Sequence, residues 1–261
     1  MAIITLTTDL GLKDSYVGSI KGAILKELPS VSIVDISHDV KKFDITEAAF
    51  VLKTVFLDFP EGSIHIIGVK TEATLKTPHV IVLFKNHYFI GADNGIFSLI
   101  FDILPEKVVE LSISQDTDIL TFPTKDVFVK AACHIARGGS MEVIGKPVSS
   151  LRKSEALRSF SEGSNILKGF VVYIDSYENI ITNISKQQFY DFGKSRNFTI
   201  FFRRAEYSIS SISKSYDDVP LGERLAIFSA SGFLEIAMNN ANASGIFGIH
   251  IRDVIRIEFY D

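Results

Sequence analysis

The chain has 261 residues, 46% hydrophobic and 22% charged, which excludes disordered, collagen-like and coiled-coil compositions and leaves room for one large domain or two modest ones. Its 27 Lys and Arg residues against 31 Asp and Glu residues give a net charge of -4 with no basic block, which argues against a nucleic-acid footprint. The single Cys133 leaves no internal disulfide, Met1-Ala2-Ile3 opens without a basic leader, and apolar runs such as Val80 to Phe84 fall far short of the roughly 18 residues that span a bilayer, so a cytoplasmic protein with no membrane segment is expected.

The first predicted strand, Ala2 to Thr7, is β-rich and almost continuously apolar, as a strand covered on both faces would be. It runs into Asp9-Leu10-Gly11. Val17, Ile20, Ala23, Ile24 and Leu28 then recur at helical spacing until Pro29 stops the helix. The unit repeats as a strand over Val31 to Ile36, a helix over Ile45 to Phe56, a strand over Ile64 to Val69, and two further strands at Val80 to Phe84 and Tyr88 to Gly91. Strands alternating with helices predict an α/β domain with a mainly parallel sheet. A helix over Val127 to Ala136 follows, and the polar stretch from Ser149 to Ser164 reads as a linker. Beyond it, short strands at Gly169 to Ile174, Phe198 to Phe202, Leu225 to Ser229, Phe233 to Ala237 and Val254 to Phe259 predict a smaller C-terminal β-sandwich or barrel. The expected division is residues 1–150, a linker at 151–166, and 167–261.

No phosphate-cradling Gly-rich loop, dinucleotide fingerprint, nucleophile elbow, His-Glu-x-x-His or Cys-x-x-Cys is present, and the six histidines are scattered, so ordinary nucleotide, zinc and serine-hydrolase chemistry loses its support and no metal is expected. Asp9 is different. It stands at the carboxyl end of the first strand, where open α/β sheets place their ligands, and a carboxylate there can accept both hydroxyls of a ribose diol. An N-cap for the following helix is the competing explanation, with Asp14 able to fill that place instead.

The string Thr8-Asp9-Leu10-Gly11-Leu12-Lys13-Asp14-Ser15-Tyr16-Val17-Gly18 with Lys21-Gly22 resembles the opening of the S-adenosylmethionine hydroxide adenosyltransferase family, relatives of the fluorinase and chlorinase enzymes. Further blocks agree in order: Asp35-Ile36-Ser37-His38 with Phe43-Asp44, Gly91-Ala92-Asp93-Asn94-Gly95, Thr121-Phe122 with Lys125-Asp126, Asp175-Ser176-Tyr177-Glu178-Asn179 with Thr182-Asn183, and Ser231-Gly232-Phe233-Leu234-Glu235-Ile236-Ala237. The resemblance implies an α/β domain, a C-terminal β domain and a homotrimer whose nucleoside sites lie between subunits, with S-adenosylmethionine as substrate or ligand and no separate cofactor. It also implies that Asp9 holds the ribose hydroxyls, that Phe43 and Phe122 line the sugar and adenine, that Asp175 meets the methionine ammonium and that Asn179 reads the adenine edge. Asp14, Tyr177 and Ser231 join them as ligand candidates. For Phe43 and Phe122, among 21 phenylalanines, core packing is the competing role.

The resemblance breaks at the water-activating positions. In the family, Asp-Pro-Gly-Val-Gly-Thr-x-Arg supplies an Asp and an Arg, and Thr-Phe-His-Gly-Arg-Asp supplies a His. Aligned without gaps these fall on Lys70, Thr77 and Pro123. Attack on C5′ needs a nucleophile in line with the departing sulfur, and a lost general base typically costs about 10²–10⁴-fold in rate. Lys70 and the Thr124 hydroxyl are the replacement candidates, as an anion pocket. Glu178 stands where the family has Gly, and Ser229-Ala230 replaces Asn-Ser, so Ser231 is the hydroxyl left for the methionine carboxylate. Three outcomes stay open: an adenosyltransferase using water or another nucleophile, a catalytically silent S-adenosylmethionine or adenosine binder, and a divergent member whose pocket fits another nucleoside.

Overall fold

A computed structural model describes residues 2–114 and 120–261, and the chain divides into two compact units, Met1–Glu155 and Ala156–Asp261. In the first, β1 (Ile3–Thr8), α1 (Tyr16–Glu27), β2 (Ser32–Ser37), α2 (Ile45–Lys53), β3 (Ile64–Gly68), β4 (His79–Phe84), β5 (His87–Ala92), α3 (Phe97–Ile100), β6 (Lys107–Leu111), α4 (Val129–Ala136) and β7 (Gly145–Pro147) follow in order. They build a sheet of strand order β2-β1-β3-β5-β4-β6-β7. The pairs β1–β2, β1–β3 and β3–β5 are parallel, as the strand–helix alternation predicts. From β5 onward every pairing is antiparallel. The reversal is made at Lys85-Asn86, a two-residue hairpin turn in which both residues have positive φ, the geometry whose twist matches paired strands.

Side-chain alternation along the strands gives the sheet two apolar faces. Ile4, Leu6, Ile64, Ile66, Ile81 and Ile90 pack with Ile20 and Ile24 of α1 and with α4. Ile67, Val80, Val82 and Phe89 pack with Ala48, Ala49 and Leu52 of α2 and Phe97 of α3. Each fully buried Ile, Leu or Phe contributes about 1.5–3 kcal/mol relative to its exposed state, so the two faces hold β1 and β3 rigidly at the sheet centre. Helix α2 starts sharply because Asp44 caps it, accepting from the Thr46 and Glu47 amides at 3.0 and 3.1 Å. Helix α1 has Ser15 at its N-cap position without a side-chain bond, so neither Asp9 nor Asp14 serves as its cap.

The second unit contains β8 (Phe160–Glu162), β9 (Ile166–Ile174), β10 (Ile180–Ser185), α5 (Lys186–Gly193), β11 (Asn197–Phe202), β12 (Arg204–Ile209), β13 (Ile212–Ser213), β14 (Arg224–Phe228), β15 (Phe233–Met238), α6 (Ala243–Phe247) and β16 (Val254–Tyr260). They form one curled sheet, β12-β11-β16-β9-β10-β15-β14-β13, with β8 on β9. Strand β9 joins the halves: residues 166–170 pair with β16 and residues 171–174 with β10. Leu167, Val171, Ile180, Ile236, Ile255 and Ile257 fill the interior of the curl together with Phe189 of α5 and Phe247 of α6.

Candidate functional site

Strand β1 delivers Thr7, Thr8 and Asp9 to the carboxyl edge of the sheet, beside Gly68 at the end of β3. The Asp9 side chain is only 7% exposed. Its Oδ2 accepts the Phe43 amide at 2.8 Å, and its backbone carbonyl accepts from the Lys42 ammonium. Phe43 holds positive φ, which turns its N–H onto the carboxylate while the ring stays 67% exposed. Core packing therefore does not account for Phe43. The Asp9 Oδ1 has no protein partner among the described residues, so the carboxylate is braced on one oxygen and open on the other. Asp14 lies on the exposed turn that leads into α1. Phe122 is half-buried, edge-on to Tyr16 at 5.5 Å between centroids, with the Lys125 ammonium 5.8 Å from its ring centre.

Pro123 begins a π-helical turn over Thr124–Phe128 that runs straight into α4. Such turns gather at functional sites. Here the turn seats Thr124 against the end of β3. A Cβ on Gly68 would lie 2.9 Å from Thr8 Cγ2 and 3.0 Å from Thr124 Cγ2, so only glycine lets the two threonines close over that strand end. Two residues further on, Lys70 is exposed and has positive φ. Asn94 braces that backbone: its Nδ2 donates to the Val69 and Lys70 carbonyls at 3.2 and 2.9 Å, and its Oδ1 accepts the Ile96 amide. The rest of the loop is tied by His79, whose Nε2 donates to the Thr71 carbonyl at 2.8 Å. Thr77 sits apart in a turn with Thr74, their hydroxyls 2.7 Å from each other. The structure thus gathers Asp9 and Phe43, and also Thr124 and Thr8 over Gly68, while Thr77 is spent on its own turn.

In the second unit Asp175, Tyr177 and Asn179 share the β9–β10 turn. Asp175 Oδ1 accepts the Tyr177 and Asn179 amides at 2.9 and 2.8 Å, and Oδ2 accepts from the Asn179 side-chain amide at 3.1 Å. Asn179 is buried and the Tyr177 ring is 79% exposed. Glu178 has φ of 65°, the left-handed conformation that glycine adopts without cost. It is held there from α6, where the Ser244 amide donates to its carbonyl at 3.0 Å and the Ser244 hydroxyl to its carboxylate. Ser231 lies in the β14–β15 turn, its hydroxyl 3.1 Å from that of Ser229.

Four residues at these places make buried or bracing contacts that periodicity did not reveal. His38 and Asp35 stand behind Asp9, Asn94 supports Lys70, and Glu235 is buried in β15 with the Tyr216 hydroxyl donating to it at 2.6 Å. Burial pushes the Glu235 carboxyl above the usual range, against hydrogen bonds from Tyr216 and Ser229, and the nearby Asp175 carboxylate adds to the rise. Burial likewise pushes up the Tyr216 phenol. The signal for Glu235 is a carboxylate inside the apolar run Leu234 to Ala237, which needs a partner to be buried. Among the described residues no group of three or more metal-ligating side chains is gathered, and no helix is long and apolar enough to cross a membrane.

The SAM hydroxide adenosyltransferase N-terminal domain matches residues 4–145 and its C-terminal domain residues 169–256. The chain is 29% identical to an (R)-S-adenosyl-L-methionine hydrolase of Methanocaldococcus jannaschii, over 98% of this chain and 95% of the relative. It is 21% identical to a fluorinase of an Actinoplanes species, over 92% and 91%. An uncharacterized conserved protein of Thermotoga maritima superposes with a TM-score of 0.88 at 27% identity, covering 98% of this chain and 99% of that one.

Proposed function

The chain belongs to the SAM hydroxide adenosyltransferase family, and on that premise we propose that it binds S-adenosylmethionine by its adenosyl half and displaces methionine from C5′ with water. The observation that carries this reading is Asp9, buried, braced on Oδ2 by the Phe43 amide and free on Oδ1. That arrangement suits a ribose diol, with Phe43 and Phe122 against the sugar and base. Asp175 complements an ammonium, and Asn179 offers an amide to the adenine edge. Asp14, Tyr177 and Ser231 complete the ligand set. Burial pushes the Cys133 thiol up to about 11, so the cysteine is not the nucleophile.

In the reaction the water oxygen bonds to C5′ as the C5′–S bond breaks. The electron pair passes to sulfur, giving methionine and adenosine, and the proton leaves to solvent. The Thr124 hydroxyl, which can accept a hydrogen bond, orients the water, and the exposed Lys70 offers a positive charge suited to an anionic nucleophile. A second reading, a silent adenosyl-binding protein, is favoured by Pro123, which has no proton to exchange where the family carries His. We place the assembly as a homotrimer with sites between subunits. The exposed Leu12, Tyr16, Phe43 and Tyr177 support it, since a monomer leaves these apolar groups in water beside the ligand residues. The unpaired, buried Cys133 is at home in the reducing cytoplasm. Calorimetric titration with S-adenosylmethionine and adenosine tests the binding: Asp9→Ala is expected to weaken both by 10-fold or more, on the order of one hydrogen bond to a charged group. Equal affinity for wild type and variant refutes the ribose assignment.

A further inference from the structure

Asp9 can hold a diol only if its carboxylate is fixed in direction, and the chain on both sides of it is held by one residue. His38 follows β2 and is buried beside the end of β1. Its Nδ1 lies 2.7 Å from the Thr8 hydroxyl, and its backbone carbonyl accepts the Gly11 amide at 2.7 Å. These two contacts bracket Asp9, one residue before it and two after. Gly11 has φ of 69°, so the second contact closes a left-handed bend that bare backbone would not keep.

Behind His38 stands the Asp35 carboxylate, approached from two sides. The Lys21 ammonium of α1 donates to Asp35 Oδ2 at 2.5 Å, and Asp35 Oδ1 is 3.1 Å from His38 Nε2. Burial alone would raise the Asp35 carboxyl, but hydrogen bonds from Lys21 and His38 outweigh it and hold the group below the usual range. Asp35 Oδ1 thus faces Nε2 at ion-pair distance, while Nδ1 on the other side of the ring is hydrogen-bonded to the Thr8 hydroxyl. That hydroxyl in turn accepts the Leu10 amide at 3.3 Å. A chain of polar contacts from α1 through β2 therefore ends on the two neighbours of Asp9, and the buried imidazole at its centre ties β2 to the end of β1.

We propose that His38 is a positioning residue that aims Asp9 at the 2′- and 3′-hydroxyls of the ligand ribose, and so sets the preference for a ribonucleoside over a 2′-deoxyribonucleoside. This rests on the ribose role of Asp9 proposed above. The test is the ratio of calorimetric affinities for adenosine and 2′-deoxyadenosine, a ratio that general loss of stability does not move. Wild type is expected to prefer adenosine on the order of 10–100-fold, the value of one hydrogen bond to a charged group. Asp9→Asn should bring the ratio near one.

The His38 variants separate the two ends of the imidazole. His38→Asn places its amide where Nδ1 lies and retains the Thr8 contact, so most of the preference is kept. His38→Gln reaches toward Asp35, releases Thr8, and should lose the preference to within about threefold of Asp9→Asn. Thr8→Val, which keeps the shape and removes the hydroxyl, should match His38→Gln. A ratio that stays at the wild-type value in both His38→Gln and Thr8→Val, while Asp9→Asn abolishes it, overturns the positioning role and leaves the ribose reading intact. Equal ratios in His38→Asn and His38→Gln also overturn it. A wild-type ratio in Asp9→Asn overturns the ribose reading itself.

Discussion

His65 gives the first unit a predictable weakness to acid. It lies in β3 with its ring between Phe89, at 4.8 Å between centroids, and Phe59, at 5.8 Å, and it is fully buried. Its Nδ1 is 2.7 Å from the Thr5 hydroxyl and its Nε2 is 3.2 Å from His87 Nδ1. Burial, reinforced by His87, pushes His65 down to about 3, and burial lowers His87 as well. An unfolded histidine takes a proton near pH 6.5, so between about pH 6.5 and 3 the unfolded chain binds a proton that the folded chain refuses. Stability therefore falls as the pH falls through that window, by about 1.4 kcal/mol per pH unit for His65 alone. From pH 6.5 to 4.5 the loss is on the order of 2–3 kcal/mol, a large share of a typical 5–15 kcal/mol total. The matched control is the double variant Thr5→Val with His65→Phe, which removes both ends of the buried bond and keeps an aromatic ring in the cluster. Urea unfolding across this range, with hydrogen exchange of the β1 and β3 amides to follow the first unit, should show the wild type losing on the order of 2–3 kcal/mol more than the variant. Parallel stability curves for the two proteins would refute the reasoning.

Gly68→Ala drives a methyl group into Thr8 and Thr124, so it should cost about 1–3 kcal/mol in urea unfolding and weaken adenosine binding, whereas unchanged affinity would separate that contact from the site. Thr124→Val removes the hydroxyl at nearly constant volume and should lower kcat about 10-fold or more with KM little changed; a rise in KM alone would place Thr124 in ground-state binding. Glu178→Ala keeps the left-handed backbone and loses the Ser244 contact, so it should be the less stable of two variants, with Glu178→Gly recovering about 1 kcal/mol by relieving the strain. Equal unfolding midpoints for the pair would show that the turn carries no such strain.

The first half of the α/β sheet was legible because β1, β2 and β3 alternate with helices that carry clean apolar spacing, and each pairing follows from that order. The antiparallel half was not, because it depends on a hairpin at Lys85-Asn86 without the glycine that usually marks one. Helix α5 escaped for another reason. Ser185 caps it by accepting the Gln188 amide at 3.1 Å, yet its apolar face is carried by Phe189 and Phe192 amid polar neighbours, too few to set a period. In the site, Asp9, Asp175 and Asn179 stand out because each sits at a strand end or turn inside a recognisable string. His38 does not, because its partner Thr8 is 30 residues away and only the pairing of β1 with β2 brings them together. The Asp35-x-x-His38 spacing was visible; its meaning is tertiary.

Product formation tests the central claim most directly. The purified protein at stoichiometric concentration is incubated with S-adenosylmethionine, and adenosine and methionine are quantified over time against buffer and against Asp9→Ala. Equal amounts of both products are expected with the wild type, and background levels with Asp9→Ala. No product above buffer from a wild type that binds S-adenosylmethionine would contradict the hydrolytic reading and leave the silent adenosyl-binding protein in its place.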